Sequence, residues 1–252
     1  MTLAELLDEL RGNILRDRSD LIAGDTDSLW TDETLLRYIK DGERRFARQT
    51  LCLRDSTTPE IVQVRLRSAV QNYALHPSII GVLSARFDTD TFDIQRSGYA
   101  LLLQGAHPET LSFDPSTAYT AAPGRPVAYF TDETLIFARQ GRVTLSAYPI
   151  PGTDEDGKTL HLRVLRMPAT DYSLDNLEVE SEIPEDYQLD TLEWAAYRAQ
   201  RGFDADAGAS TVAGAHKVAF GEAVVAAVKE MKRKTFAHIP FLFGQNGFSW
   251  TR

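Results

Sequence analysis

The chain has a single cysteine in 252 residues. That excludes an internal disulfide and any multi-cysteine zinc site, and it fits assembly in a reducing compartment. Cys52 lies in the apolar stretch Thr50, Leu51, Cys52, Leu53 and is expected as a small core residue. Long hydrophobic runs are also missing, since no stretch reads as the ~18 apolar residues that a membrane helix requires. The opening MTLAELLDEL is acidic and amphipathic, without the basic-then-apolar order of a secretory signal. Together these predict neither secretion nor membrane insertion. Positive charge is scarce as well. With a formal charge of -9, a tight grip on nucleic acid is not expected, because phosphate binding needs clustered Lys and Arg. A protein that nucleic acid slides past is not excluded, and weak attraction would serve it.

Catalytic and ligand-binding motifs are equally sparse. The Gly-rich stretches 202–214 and 244–247 lack the G-x-x-x-x-G-K-[ST] pattern of a phosphate-binding loop. His76, His107, His161, His216 and His238 are too scattered for a zinc site, and a structural or surface role is expected for each. Asp154, Glu155, Asp156 and Gly157 lack the distal glutamate of a calcium loop, so they read as a hairpin turn. Asp204 and Asp206 read as loop residues. Neither a G-x-S-x-G elbow nor a Cys/His pair of known spacing occurs. The sequence therefore predicts no enzyme, no cofactor and no metal.

What is present is a change of hydrophobic period along the chain. Leu3, Leu6, Leu7, Leu10 and Ile14 follow a helical rhythm, with Thr2 and Glu5 at capping-box spacing. After a polar connection from Asp17 to Ser28, Thr31 is placed as the N-cap of a second helix, with Trp30 and Leu35 as a hydrophobic staple. Leu35, Leu36, Ile39, Phe46 and Leu53 are expected on its buried side. From 56 to 170 the period becomes alternating. Strands are expected over Val62–Arg67, Ile79–Phe87, Val127–Phe130, Thr134–Ala138, Val143–Tyr148 and Leu160–Arg166. The helical period returns at Ile183, with Leu189, Leu192, Ala196 and Ala199 as its stripe. A last helix is expected over Ala209–Lys234, with Val212, Phe220, Val224, Val228 and Met231 along it. The fold class is α+β: a helical bundle built from both chain ends (1–55 and 171–235), an inserted antiparallel β-domain (56–170) and an extended C-terminal arm (236–252).

That arm, FAHIPFLFGQNGFSWTR, carries Phe236, Phe241, Phe243, Phe248 and Trp250 among Pro240, Gly244 and Gly247. The mixture supports neither a continuous helix nor a regular strand. Five aromatics in so short a segment call for burial, either on the chain's own domain or in a groove of another chain.

Six segments carry a family resemblance: WTDETLLRYIKDGERRFARQ (30–49), QNYALHPSIIGVLSARF (71–87), GRPVAYFTDETLIF (124–137), PIPGTD (149–154), LHLRVLRMP (160–168) and EIPEDYQLDTLEWAAYRAQRGFDAD (182–206). In this order they resemble the head-to-tail adaptor, or connector, proteins of tailed bacteriophages, and the resemblance spans nearly the whole chain. It implies a structural virion protein, assembled in the host cytoplasm. The implied assembly is a homo-oligomeric ring, a dodecamer, under the portal protein. A downstream tail or nozzle protein is implied below it, genomic DNA passes through without specific binding, and no membrane is involved. It also implies that the C-terminal segment docks onto the portal through Phe236, Ile239, Phe241, Phe243, Phe248, Trp250 and Arg252. The family has no catalytic residues to transfer. Two alternatives stay open beside it. One is a tail-completion or tail-tube ring protein; the other is a β-domain that binds a host ligand, for which Tyr99, Phe113 and Tyr119 would line the groove.

Overall fold

Thr2 and Glu5 close the capping box that their spacing predicts. The Thr2 hydroxyl accepts from the Glu5 N–H at 3.3 Å, and the Glu5 carboxylate accepts from the Thr2 N–H at 2.8 Å. The structure is a computed structural model that describes residues 1–17, 29–96, 123–131, 143–201 and 209–237, except the side chains of 209–210 and 234–237. Expectations placed on Thr134–Ala138, on Tyr99, Phe113 and Tyr119, on Asp204 and Asp206, on His107 and His238, and on the chain beyond Ala237 lie outside the described residues.

The fold is α+β, with antiparallel pairing dominating its sheets. In chain order the elements are α1 (Leu3–Glu9), α2 (Asp32–Thr50), β1 (Arg54–Asp55), α3 (Pro59–Val62), β2 (Gln63–Arg65), β3 (Asn72–Ala74), β4 (Ile79–Phe87), β5 (Gln95–Arg96), β6 (Ala128–Thr131), β7 (Thr144–Tyr148), β8 (Thr159–Arg166), α4 (Glu185–Arg201) and α5 (Ala209–Ala237). They fall into two compact units, Met1–Cys52 with Thr170–Arg252, and Leu53–Ala169.

In the helical unit, α1 buries Leu3, Leu6 and Leu7 and then widens into a π turn over Leu10–Ile14, where the leucine rhythm predicts regular helix. Thr31 caps α2 as expected, its hydroxyl accepting from the Thr34 N–H. The helix stops at Thr50 because Leu51 takes the left-handed conformation, φ 56°, while its N–H closes on the Ala47 carbonyl at 2.8 Å. Leu53, expected on the buried side of this helix, therefore falls beyond it in the other unit. Cys52 is only half-buried rather than a core residue.

Helix α4 is packed on two sides. Leu192, Ala195, Ala196 and Ala199 join Leu3, Leu6, Leu10, Leu35 and Ile39 in one apolar cluster. Tyr187 and Trp194 meet Phe46 and Phe220 in a second, aromatic contact. Small residues let the helices approach closely: a Cβ on Gly42 of α2 would stand 2.6 Å from the Thr191 carbonyl oxygen of α4. Leu189, expected in the α4 stripe, is exposed instead. The buried Asp17 gathers the Arg11 guanidinium and the N–H groups of Leu29 and Trp30, which fixes the approach to α2.

In the other unit β8 is the central strand. It pairs antiparallel with β4 along one edge and with β1 and β2 along the other. A second sheet runs β3-β7-β6-β5, in which β5 and β6 are parallel, a departure from the all-antiparallel expectation. The predicted strand over Val62–Arg67 shortens to Gln63–Arg65, because Pro59 opens the helical turn α3 just before it. The 154–157 segment is no hairpin turn: it joins β7 of one sheet to β8 of the other. Asp55 anchors this unit, accepting the N–H groups of Thr57 (2.9 Å) and Thr58 (3.1 Å) and the Arg166 guanidinium (2.7 Å). Burial alone would raise its pKa, but these donors outweigh it and hold the carboxyl well below the usual range.

Candidate interaction surfaces

Of the apolar residues expected along helix α5, Phe220 is buried, Val224, Val228 and Met231 are half-buried, and Val212 is exposed. The buried side chains of this helix among the described residues are Ala213, Phe220 and Ala227, seven residues apart, so one narrow seam faces α4. Phe220 lies 5.4 Å from the Trp194 ring. At its ends the seam is polar: His216 Nδ1 lies 2.6 Å from the Glu193 carboxylate, and the Tyr187 hydroxyl donates to Glu230 at 2.8 Å. Burial and the Glu230 carboxylate push the Tyr187 hydroxyl up to about 12.

On the side away from Phe220, Val218 (60%) and Val225 (53%) are exposed one heptad apart. Gly214 and Gly221 flank them with open space where a side chain would stand. Through its Ala, Gly and Val content, Thr211–Arg233 is long and apolar enough to cross a membrane by length and composition, contrary to the sequence expectation. Its seam against α4 gives it one protein-packed face, and the open face is interrupted by Glu222 and Lys229.

Helix α2 shows a second surface. Arg37, Lys40, Arg44, Arg45 and Arg48 line the side away from its buried face and border a groove of about 560 Å³. Arg45 stacks over the Trp194 ring at 3.9 Å. Asp41, the acid within this ridge, is engaged by the Trp194 Nε1–H at 2.7 Å and Arg198 at 2.9 Å.

An acidic edge forms the third surface. No Lys or Arg occurs between Arg166 and Arg198, and Asp171, Asp175, Glu178, Glu180, Glu185 and Asp186 are all exposed. The segment is held in place by backbone pairing with the start of α1: the Leu3 N–H donates to the Val179 carbonyl at 2.8 Å, and the Ala4 N–H to that of Leu177 at 3.0 Å. Beneath it Glu43 is buried, accepting from the Tyr172 hydroxyl and, at 2.5 Å, from that of Ser181. Burial raises the Glu43 pKa, and the two hydroxyls offset part of that rise. The Tyr172 hydroxyl is itself raised by burial and by the Glu43 charge.

Each of these titrating groups is occupied by structural hydrogen bonds. Among the described residues no three His, Cys, Asp or Glu side chains gather as a metal-binding group. His76 contacts Ser78 at 2.7 Å, and His161 lies in β8. Of the docking residues expected in the tail, the backbone of Phe236 belongs to α5, which runs three residues past the expected end at Lys234. Ile239, Phe241, Phe243, Phe248, Trp250 and Arg252 lie outside the described residues.

No curated protein matches the chain. The family model described as SU10 adaptor protein matches residues 1–237, and the chain belongs to that family of structural phage adaptors, which makes it a virion component.

Proposed function

We propose, with membership of the SU10 adaptor family as premise, that copies of this chain form a ring joining the portal of a phage capsid to the tail, with DNA passing through the lumen. The observation that supports this reading is α5: a helix packed along one heptad seam, with Val218 and Val225 left exposed on the other side. A soluble subunit gains from covering such a face, and a contact repeated head to tail around an axis closes into a ring. The -9 charge suits a conduit that must not hold its cargo.

In this arrangement the neighbours are further copies of the chain around the ring, the portal on one axial side and a tail or nozzle protein on the other. The segment from Phe236 to Arg252 is the portal-docking arm, with Phe241, Phe243, Phe248 and Trp250 as its anchors. The strand-rich unit Leu53–Ala169 is an insertion in the helical adaptor core. Assembly takes place in the host cytoplasm.

The test is the mass of the purified chain by native mass spectrometry, with and without the portal. A discrete multimer in either condition is expected. Val218→Glu with Val225→Glu should keep the helical circular dichroism and lose the multimer. A chain that stays monomeric in both conditions overturns the ring.

A further inference from the structure

We propose that the arginine ridge of α2 is one half of a subunit contact whose other half is the acidic edge Asp175–Asp186 of a second copy. The inference rests on the ring reading and says which surfaces meet. Arg37, Arg44 and Arg45 crowd one exposed helix face in a chain whose net charge is -9. Like charges so close repel, and Asp41, the only acid among them, is committed to Trp194 and Arg198.

The complementary charge stands on the same unit. Asp175, Glu178, Glu180, Glu185 and Asp186 are exposed, with no cation interleaved in sequence, and pairing with α1 holds their segment in a fixed shape. The two surfaces adjoin at one end within a subunit, where Arg37 and Lys40 line a groove with Glu33 and Asp175, and Arg44 and Arg45 lie further along the ridge. Lys40 pairs with Asp171 at the near end, but no ion pair joins Arg37, Arg44 or Arg45 to any of those five acids. Two copies of an acidic protein repel unless opposite patches meet, so the ridge sets both register and partner choice. A contact between two different patches of identical chains is heterologous, the type that closes into rings.

The experiment exchanges the charges in the full-length chain. Arg37→Glu with Arg44→Glu reverses two charges of the ridge and cancels its positive excess, and Glu178→Arg with Glu180→Arg reverses two charges of the edge and removes most of its negative excess. Each alone, checked for an unchanged circular dichroism spectrum, should need a roughly tenfold or higher concentration to assemble, with or without the portal. Mixing the two should restore multimers in alternating order, and the four substitutions combined on one chain should restore them as well. Assembly of the wild type should weaken with salt.

Variants that assemble like the wild type, or mixtures that fail to recover, overturn the ridge-to-edge pairing while a multimeric wild type leaves the ring standing. A wild type that is monomeric throughout overturns both. Micromolar binding of a duplex DNA probe that Arg37→Glu with Arg44→Glu abolishes would instead make the ridge a nucleic-acid surface, and the proposal would fall.

Discussion

The Tyr172 hydroxyl donates to the buried carboxylate of Glu43, joining residues 129 positions apart in the helical unit. Because burial raises the Glu43 pKa, the native state binds a proton on the Glu43 carboxyl more tightly than the unfolded chain does. The contribution is fully present below pH 4.5, the unfolded value, and is lost as pH rises through the higher folded value. Glu43→Gln should flatten the fall in stability across that window, as read from urea unfolding at several pH values. Tyr172→Phe should cost about 1.5–3 kcal/mol where Glu43 is ionised and move the window upward, since the lost hydroxyl favours the charged form. An unchanged pH slope in Glu43→Gln would refute the assignment.

Asp55 carries the opposite sign. Its folded pKa is depressed, so its stabilisation is present above the unfolded value of 3.8 and disappears as pH falls through the folded value. Asp55→Asn should remove the ion pair with Arg166 and cost about 3 kcal/mol at neutral pH, with less difference from the wild type in strong acid. Acid titration of the strand signal in circular dichroism checks it, and equal losses at both extremes of pH would count against it.

Gly42→Ala should be costly although alanine is the better helix former. The added Cβ would meet the Thr191 carbonyl oxygen at 2.6 Å, a backbone atom that cannot swing aside. Forcing α2 from α4 should cost about 1–3 kcal/mol, seen as a lower thermal midpoint. A variant as stable as the wild type would show that the two helices separate freely.

Removing the proposed docking arm should separate assembly from folding. Truncation after Ala237 should leave the helical unit folded, because the apolar clusters of its described residues already join α1, α2, α4 and α5. Portal co-assembly should be lost. Single truncations of Phe241, Phe243, Phe248 or Trp250 to Ala should weaken docking by about 2 kcal/mol each before ordering costs. Should truncation lower the thermal midpoint sharply, or leave portal binding intact, the arm belongs to its own subunit.

The sequence by itself determined whatever depends on neighbours within about a turn of helix or a strand's length. The Thr2–Glu5 capping box, the Thr31 cap, the start of α4 behind Pro184 and the apolar strands β4 and β8 are such features, because side chain and backbone partner lie a few positions apart. The arginines of α2 and the acids of 171–186 were visible as composition, yet only the folded unit shows that both are exposed and that Asp41 is committed elsewhere.

Distant partners decided the rest. Asp17 collects donors from Arg11, Leu29 and Trp30, and β8 pairs along both its edges in a sheet that no local pattern specifies. Most tellingly, α5 turns Ala213, Phe220 and Ala227 inward and leaves Val218 and Val225 outside. Its hydrophobicity is spread around the helix, so periodicity names no inner face, and the aromatic contact of Phe220 with Trp194 and Phe46 chooses it.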